Sequence, residues 1–243
     1  MGIDVEIPTS VEARWIAEFD RQRDRHADFE IADVGPVAPA VLRGLTHSLP
    51  IFHLGEASSG VHLMAEAERD GTGAYHRAVE AFVYEEQDHA RLLAMVCTAL
   101  EIDLVDDHWS DRVFRRIRRV SGLRAEMLTL LVAEMIALPF FDTLAKGVGD
   151  PALADVFRRI HADEQRHLAF HAATLPGHLS RWSPKLLKMV RALWGATFVG
   201  SAAVVAWDHR LVLRACNSGM IRFFREALAL FRQQEARYFP SDR

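Results

Sequence analysis

Residues 85–89, Glu-Glu-Gln-Asp-His, and residues 163–167, Asp-Glu-Gln-Arg-His, are two copies of one pattern: an acid followed by Glu-x-x-His. Upstream of each lies a further glutamate in an apolar run, Glu56 in HLGEASSG and Glu134 in LLVAEMIALP. Glu56 precedes Glu86 by 30 residues, and Glu134 precedes Glu164 by the same 30. One offset of 78 carries Glu56, Glu86 and His89 onto Glu134, Glu164 and His167. The chain holds an internal repeat whose repeating part is a set of metal-ligand residue types.

Around these motifs the hydrophobic periodicity is helical, and no alternating strand pattern appears. The spacing predicts a polar amphipathic helix over 11–26, a loop over 33–40, and a long helix over 41–70 with a kink near Pro50. Gly71-Thr72-Gly73 ends that helix, and a second long helix runs from 74 to about 100. Ser110 is read as the cap of a short basic helix ending near 121. A third long helix covers about 123–146, bent at Pro139. Gly147–Pro151 turns the chain into a fourth, 151 to about 174. A fifth starts at Ser183-Pro184 and reaches about 215, and a last one covers 219–237.

Helix geometry tests whether the repeat makes a site. Glu56 and Glu86 each lie about 13–14 residues from the turn at 71, so both legs are ~20 Å at ~1.5 Å per residue. An antiparallel pair then sets the two glutamates at one height, and the same count holds for Glu134 and Glu164 about the turn at 147–151. Residues three apart share a helix face, which adds His89 to Glu86 and His167 to Glu164. Four glutamates and two histidines meet at one level of a four-helix bundle.

Four buried carboxylates are prohibitive without neutralising cations. Glu134 makes the point most sharply, because LTLLVA and MIALPFF surround it with no basic residue nearby. Carboxylates and imidazoles in this ratio suit two divalent iron or manganese ions, in the arrangement of di-iron carboxylate bundles. An alternative register pairs Glu85 with His89 at i,i+4; the 78-residue repeat favours Glu86.

On these residues, over about 41–175, the sequence resembles the ferritin-like di-iron carboxylate superfamily. That group includes bacterioferritins, ribonucleotide reductase small subunits, multicomponent monooxygenases, acyl-carrier-protein desaturases and arylamine N-oxygenases. The resemblance implies an all-α, ferritin-like antiparallel four-helix bundle with added N- and C-terminal helices. It also implies that Glu56, Glu86 and His89 form one half-site and Glu134, Glu164 and His167 the other, with two irons bound, or manganese and iron. Glu85 and Asp163 match the position from which an acid holds the ligand histidine of the opposite motif, fixing its tautomer. Some arylamine N-oxygenases carry an extra histidine ligand on the fourth helix. Residue 160, the position corresponding to that ligand, is isoleucine here, which leaves His161 and His171 as off-register candidates. His53 and His62 read as structural.

Composition sets outer bounds. The 243 residues suit a single domain, with the metal-binding core at about 41–175 and a helical extension at about 183–238. A net charge of −4 argues against nucleic acid. Cys97 and Cys216 fit no metal pattern and read as buried thiols in a reducing cytoplasm. The apolar run Ala192–Trp207 is about four residues short of the ~20 needed to span a bilayer, and is expected to be a buried helix. Its small residues, with Ala137, Leu138 and Phe140 beside Glu134, are candidates for the wall of an apolar pocket. The run Arg112–Arg119 holds five arginines, a solvated face or a docking site for a ferredoxin-type reductase or an acyl carrier protein. A homodimer is compatible with all of this.

The expectation is an O2-activating non-haem di-iron oxidoreductase, an oxygenase, N-oxygenase or desaturase, acting on a small and largely apolar organic substrate. The alternatives are an iron-binding ferroxidase or storage protein, and a metal-free scaffold. A radical-tyrosine reading is weak, because Leu93 stands where the tyrosine would be expected.

Overall fold

The computed structural model describes residues 10–240 apart from 32, 71, 111, 114, 115 and 117–121. Among them every regular element is helical: α1 (Val11–Gln22), α2 (Pro39–Glu56), α3 (Val61–Asp70), α4 (Gly73–Ala99), α5 (Gly122–Gly147), α6 (Pro151–Leu179), α7 (Pro184–Asp208), α8 (Arg210–Ala215), α9 (Met220–Gln234), and a closing 3-10 turn, Glu235–Arg237. The helices start where side chains satisfy the free N–H groups of their first turns. The Ser10, Thr72, Asp150 and Ser183 side chains cap α1, α4, α6 and α7. Asp150 also accepts from Gly35 N at 2.9 Å, pinning the 33–38 loop to the turn between α5 and α6.

Two hairpins make the bundle. One pairs α2 and α3 with α4, the other pairs α5 with α6, and α4 packs on α6 between them. α1 lies across α4 and α6, and α7 to α9 wrap the α2 and α5 side. The central layer is aliphatic and aromatic, and α5 is buried on nearly every side from Leu123 to Leu144.

Several boundaries differ from those read in the sequence. The helix expected over 41–70 is two helices, because the chain breaks at Ala57–Gly60 directly after Glu56. Gly60 adopts φ +64, and a Cβ there would lie 2.4 Å from Val83, so only glycine serves this corner. Pro50 sits buried within an unbroken α2. α6 runs past 174 to Leu179: Pro176 lies in its last turn, where a missing N–H frees a single carbonyl, and its own carbonyl accepts from Ser180 N at 3.0 Å. The helix expected to reach 215 stops at Asp208, where His209 is buried with Nδ1 2.9 Å from Ser48 Oγ. α8 then crosses α2 so closely that a Cβ on Gly44 would meet the Val212 backbone at 2.5 Å. Ser110 lies inside a helical turn, and its own N–H points to His108 Nδ1 at 3.4 Å. The basic helix expected after it falls mostly outside the described residues.

Ala192–Trp207 is the largest departure. α5 and α7 are both long and apolar enough to cross a membrane, but α5 is 89% buried over that stretch and α7 only 22%. α7 packs through one side: Trp194, Phe198, Ala202 and Ala206 are buried, Phe198 stacks on Phe231 at 4.4 Å, and Trp194 Nε1 donates to Leu128 O at 2.7 Å. No described element covers the other side.

Candidate metal centre

Each half of the repeat delivers its Glu-x-x-His pair to one point, and Glu56 and Glu134 lie beside that group rather than within it. Glu86 and His89 from α4 and Glu164 and His167 from α6 place one ligand atom each within 4.8 Å of one another. The two glutamates sit crosswise between the imidazoles. Glu86 Oε1 is 3.0 Å from His167 Nδ1 and 3.8 Å from His89 Nδ1. Glu164 reaches His89 Nδ1 at 3.4 Å and His167 Nδ1 at 3.8 Å. Glu56, the last residue of α2, brings its carboxyl beside that of Glu86. Glu134, from the buried middle of α5, accepts from His171 Nε2 at 2.8 Å.

The outer atoms of both histidines are taken. His89 Nε2 lies 3.2 Å from Asp163 Oδ2, and His167 Nε2 lies 3.0 Å from Glu85 Oε2. Each acid therefore holds the imidazole of the opposite motif through Nε2, which turns Nδ1 toward the carboxylates as the atom that can ligate a metal. Arg166 ties the two acids together, with Nη1 2.6 Å from Asp163 and Nη2 2.8 Å from Glu85. Arg25 also pairs with Asp163, and His26 Nε2 lies 3.1 Å from the same carboxylate. Phe82 packs edge-on against His167 at 4.8 Å and against His171 at 5.4 Å, and also lines the cavity beside the cluster.

Buried charge governs the titration. Burial, then the charges of Glu86 and Glu164, hold the Glu56 carboxyl well above the usual range. Burial also raises Glu134, against the pull of His171. For Glu164 burial is outweighed by hydrogen bonds from His167 and His89, which take it down to about 2. Burial likewise opposes charge on His167, but its bonds to Glu164, Glu85 and Glu86 hold its pKa well above the ordinary imidazole value. Glu85 is lowered, since His167 and Arg166 overcome the cost of burying it. His26 stays neutral: burial and the neighbouring Arg25 bring it down to about 4.

The cluster leaves several buried donor atoms without hydrogen bonds. Nδ1 of His89 and His167, Oε1 of Glu86, and Oε2 of Glu134 and Glu164 are buried with no hydrogen-bond partner. Orphaned buried polar atoms are costly and rare. Here they converge on one another, and a cation taking the place of the protons they retain resolves that arrangement. The residues fit two divalent ions.

Residues 62–175 match the family model described as Rubrerythrin. Over that span the all-helical core is similar to the ferritin-like di-iron proteins and carries a Glu/His cluster consistent with a di-iron site. No curated protein and no solved structure gave a match. The matched span holds both Glu-x-x-His motifs and Glu134, and begins six residues after Glu56.

Some candidates fall elsewhere. His161 lies at the edge of the α5–α6 hairpin among Asp142 and Lys146, and feels Glu164 only as a distant charge. His171 is buried and bound to Glu134. His62 pairs with Glu126 at 2.8 Å, away from the cluster. Arg25, His26 and Arg166 were not singled out in the sequence. Arg166 had a signal, since it stands three residues after Asp163 inside the motif. His26 had none, because only the packing of the N-terminal segment brings it to Asp163.

A cavity of about 1130 Å³ opens beside the cluster. Glu56, Glu86, Glu134 and Glu164 line it, with Glu126, His62 and His209 among its other polar groups; Ile51, Phe52, Val132 and Ile136 are among its apolar walls. From 127 to 138 α5 has one exposed residue, Ala133, and it faces this cavity. Ala137 lines it too, whereas Leu138 and Phe140 pack into the core. From α7, Thr197, Gly200, Ser201, Val204 and Val205 complete the wall.

Proposed function

We propose that this protein is an O2-activating non-haem di-iron oxidoreductase acting on an organic substrate that is largely apolar. Glu56, Glu86, His89, Glu134, Glu164 and His167 would hold the metals. A pair of ferrous ions supplies the electrons for reducing O2 at such a site. The chain's own residues set the conditions: Glu85 and Asp163 hold the two imidazoles in one tautomer, and Arg166 and Arg25 balance the charge of those acids. Phe82 packs its ring against His167 and His171. His171, bound to Glu134, is placed to hold a proton at that carboxylate.

The observation that carries the reading is the cavity. A mostly apolar chamber of about 1130 Å³ reaches the four glutamates, slightly above the ~300–1,000 Å³ of typical small-molecule sites. A centre that only oxidises Fe(II) needs a path for ions, and mostly apolar walls do not serve one. The test is anaerobic loading with Fe(II), addition of O2, and measurement of O2 uptake and products with apolar candidate substrates. Uptake that accelerates with one substrate class and yields its oxidised product supports the proposal. Uptake tied only to added Fe(II), by a chain assembled into a large shell, supports iron storage instead.

A further inference from the structure

The uncovered side of α7 is apolar from Met189 to Trp207. Met189, Leu193, Val204 and Trp207 are 62%, 66%, 40% and 60% exposed. With Ala196 and Gly200 they recur at helical spacing along one face. From Met189 to Trp207, about 27 Å at 1.5 Å per residue, this face bears no charge. Arg191 lies in the span but turns aside, 3.3 Å from Glu235 and near the Phe239 ring. The strip continues past α7 through Leu211 and Ile221, the latter 71% exposed. Single exposed apolar residues are ordinary; a contiguous strip of this extent marks an interaction surface.

Its ends are basic, although the chain as a whole carries −4. Lys185 and Lys188 stand exposed at the start of α7. At the other end a cleft of about 1000 Å³ is lined by Arg210, Arg214, Arg222 and Arg225 together with Leu211 and Ile221. Arg222 is paired with Glu226, and Arg210 lies over the Trp207 ring at 4.5 Å. Lys185, Lys188, Arg214 and Arg225 have no carboxylate partner among the described residues.

We propose that this face, α7 with α8 and the start of α9, docks on an anionic lipid bilayer. The helix lies in the interface plane, its apolar side set into the acyl boundary and its cationic ends against the headgroups. Trp207, with an arginine over its ring, suits that boundary. A second copy of the chain is a poorer occupant. Pairing the strips in either direction sets the lysine end or the arginine end of one chain against cations of the other.

The cavity meets this surface. Gly200 and Val204 belong both to the strip and to the cavity wall, and the exposed Val61 and Trp109 also line it. An apolar substrate dissolved in the bilayer would thus enter toward the glutamates without crossing water. That extension rests on the oxidoreductase reading; the docking does not.

The test is co-sedimentation of the full chain with vesicles of phosphatidylcholine alone and of phosphatidylcholine mixed with phosphatidylglycerol. Binding is expected to the mixed vesicles and to weaken as salt screens the charges. Leu193→Asp/Trp207→Asp and, separately, Arg214→Glu/Arg225→Glu should each lower it about tenfold, with helicity and bound iron unchanged. Absence of vesicle binding overturns the proposal. So does equal binding to both vesicle types, or a dimer that Leu193→Asp dissociates while vesicle binding stays nil. Vesicle binding needs no turnover, so its failure is distinguishable from failure of the proposed activity.

Discussion

Glu85 Oε2 and His167 Nε2 lie 3.0 Å apart, joining the acid of the first motif to the histidine of the second. Asp163 and His89 make the reciprocal bond. The two half-sites are therefore locked to each other through their outer atoms, and Arg166 spans both locks.

Replacing Glu85 by Gln keeps a carbonyl for His167 and removes the charge that Arg166 neutralises. Metal affinity is expected to fall about 10- to 100-fold, the usual effect of losing such a partner, with the helical content unchanged. Titration with Fe(II) or Co(II) checks this. Unchanged affinity would show that the lock is dispensable.

Glu134 should trade stability against binding. It is a buried carboxyl in an apolar helix, raised by burial despite His171. Glu134→Gln is expected to make the metal-free chain more stable by about 1–3 kcal/mol, since an isostere without charge avoids the desolvation cost. The same change should weaken metal binding. Denaturant unfolding of metal-free protein and equilibrium dialysis with Fe(II) read the two effects. A loss of both together would point to a packing defect.

The stabilisation that metal confers should grow with pH. Glu56, Glu134 and His167 have folded-state pKa values above their unfolded ones. Their contribution to the metal-free fold is therefore complete below the unfolded values and is lost as pH rises through the folded ones. Glu164 and Glu85 are shifted down, and their contribution changes only at acid pH. Metal displaces the retained protons. The Tm difference between loaded and metal-free protein should be larger at about pH 7.5 than at about pH 5.5. A flat or shrinking difference contradicts this.

Ala133 is the position at which to fill the cavity. Its side chain faces open space in an otherwise buried helix, so Ala133→Phe adds a ring there with little of the ~1–3 kcal/mol overpacking cost met in a closed core. Two irons should still bind, while oxidation of an apolar substrate slows. Equal loss of iron and of turnover would mean that the ring reaches the ligands.

The repeat and its consequences were legible in sequence because ligand spacing on helices is local geometry. Residues 30 apart about a turn reach one height, and residues three apart share a face. The break at Ala57–Gly60 has a local mark in Ser58-Ser59-Gly60, but the demand for glycine comes from Val83 on another helix. His26 is a tertiary arrival at Asp163 and left no local trace. The run from Ala192 to Trp207 reads the same whether a helix is enclosed or laid on a surface; only the packing of α8 and α9 shows which side stays uncovered.

The central claim is a two-metal site built by the repeat, and the most direct measurement is the iron content of the chain. Protein loaded anaerobically with Fe(II), freed of excess metal and analysed for iron and protein should carry two ions per chain. The Glu134→Ala variant, treated alike, should carry fewer. One ion or none in the native chain, or two held at unchanged affinity without Glu134, would contradict the account.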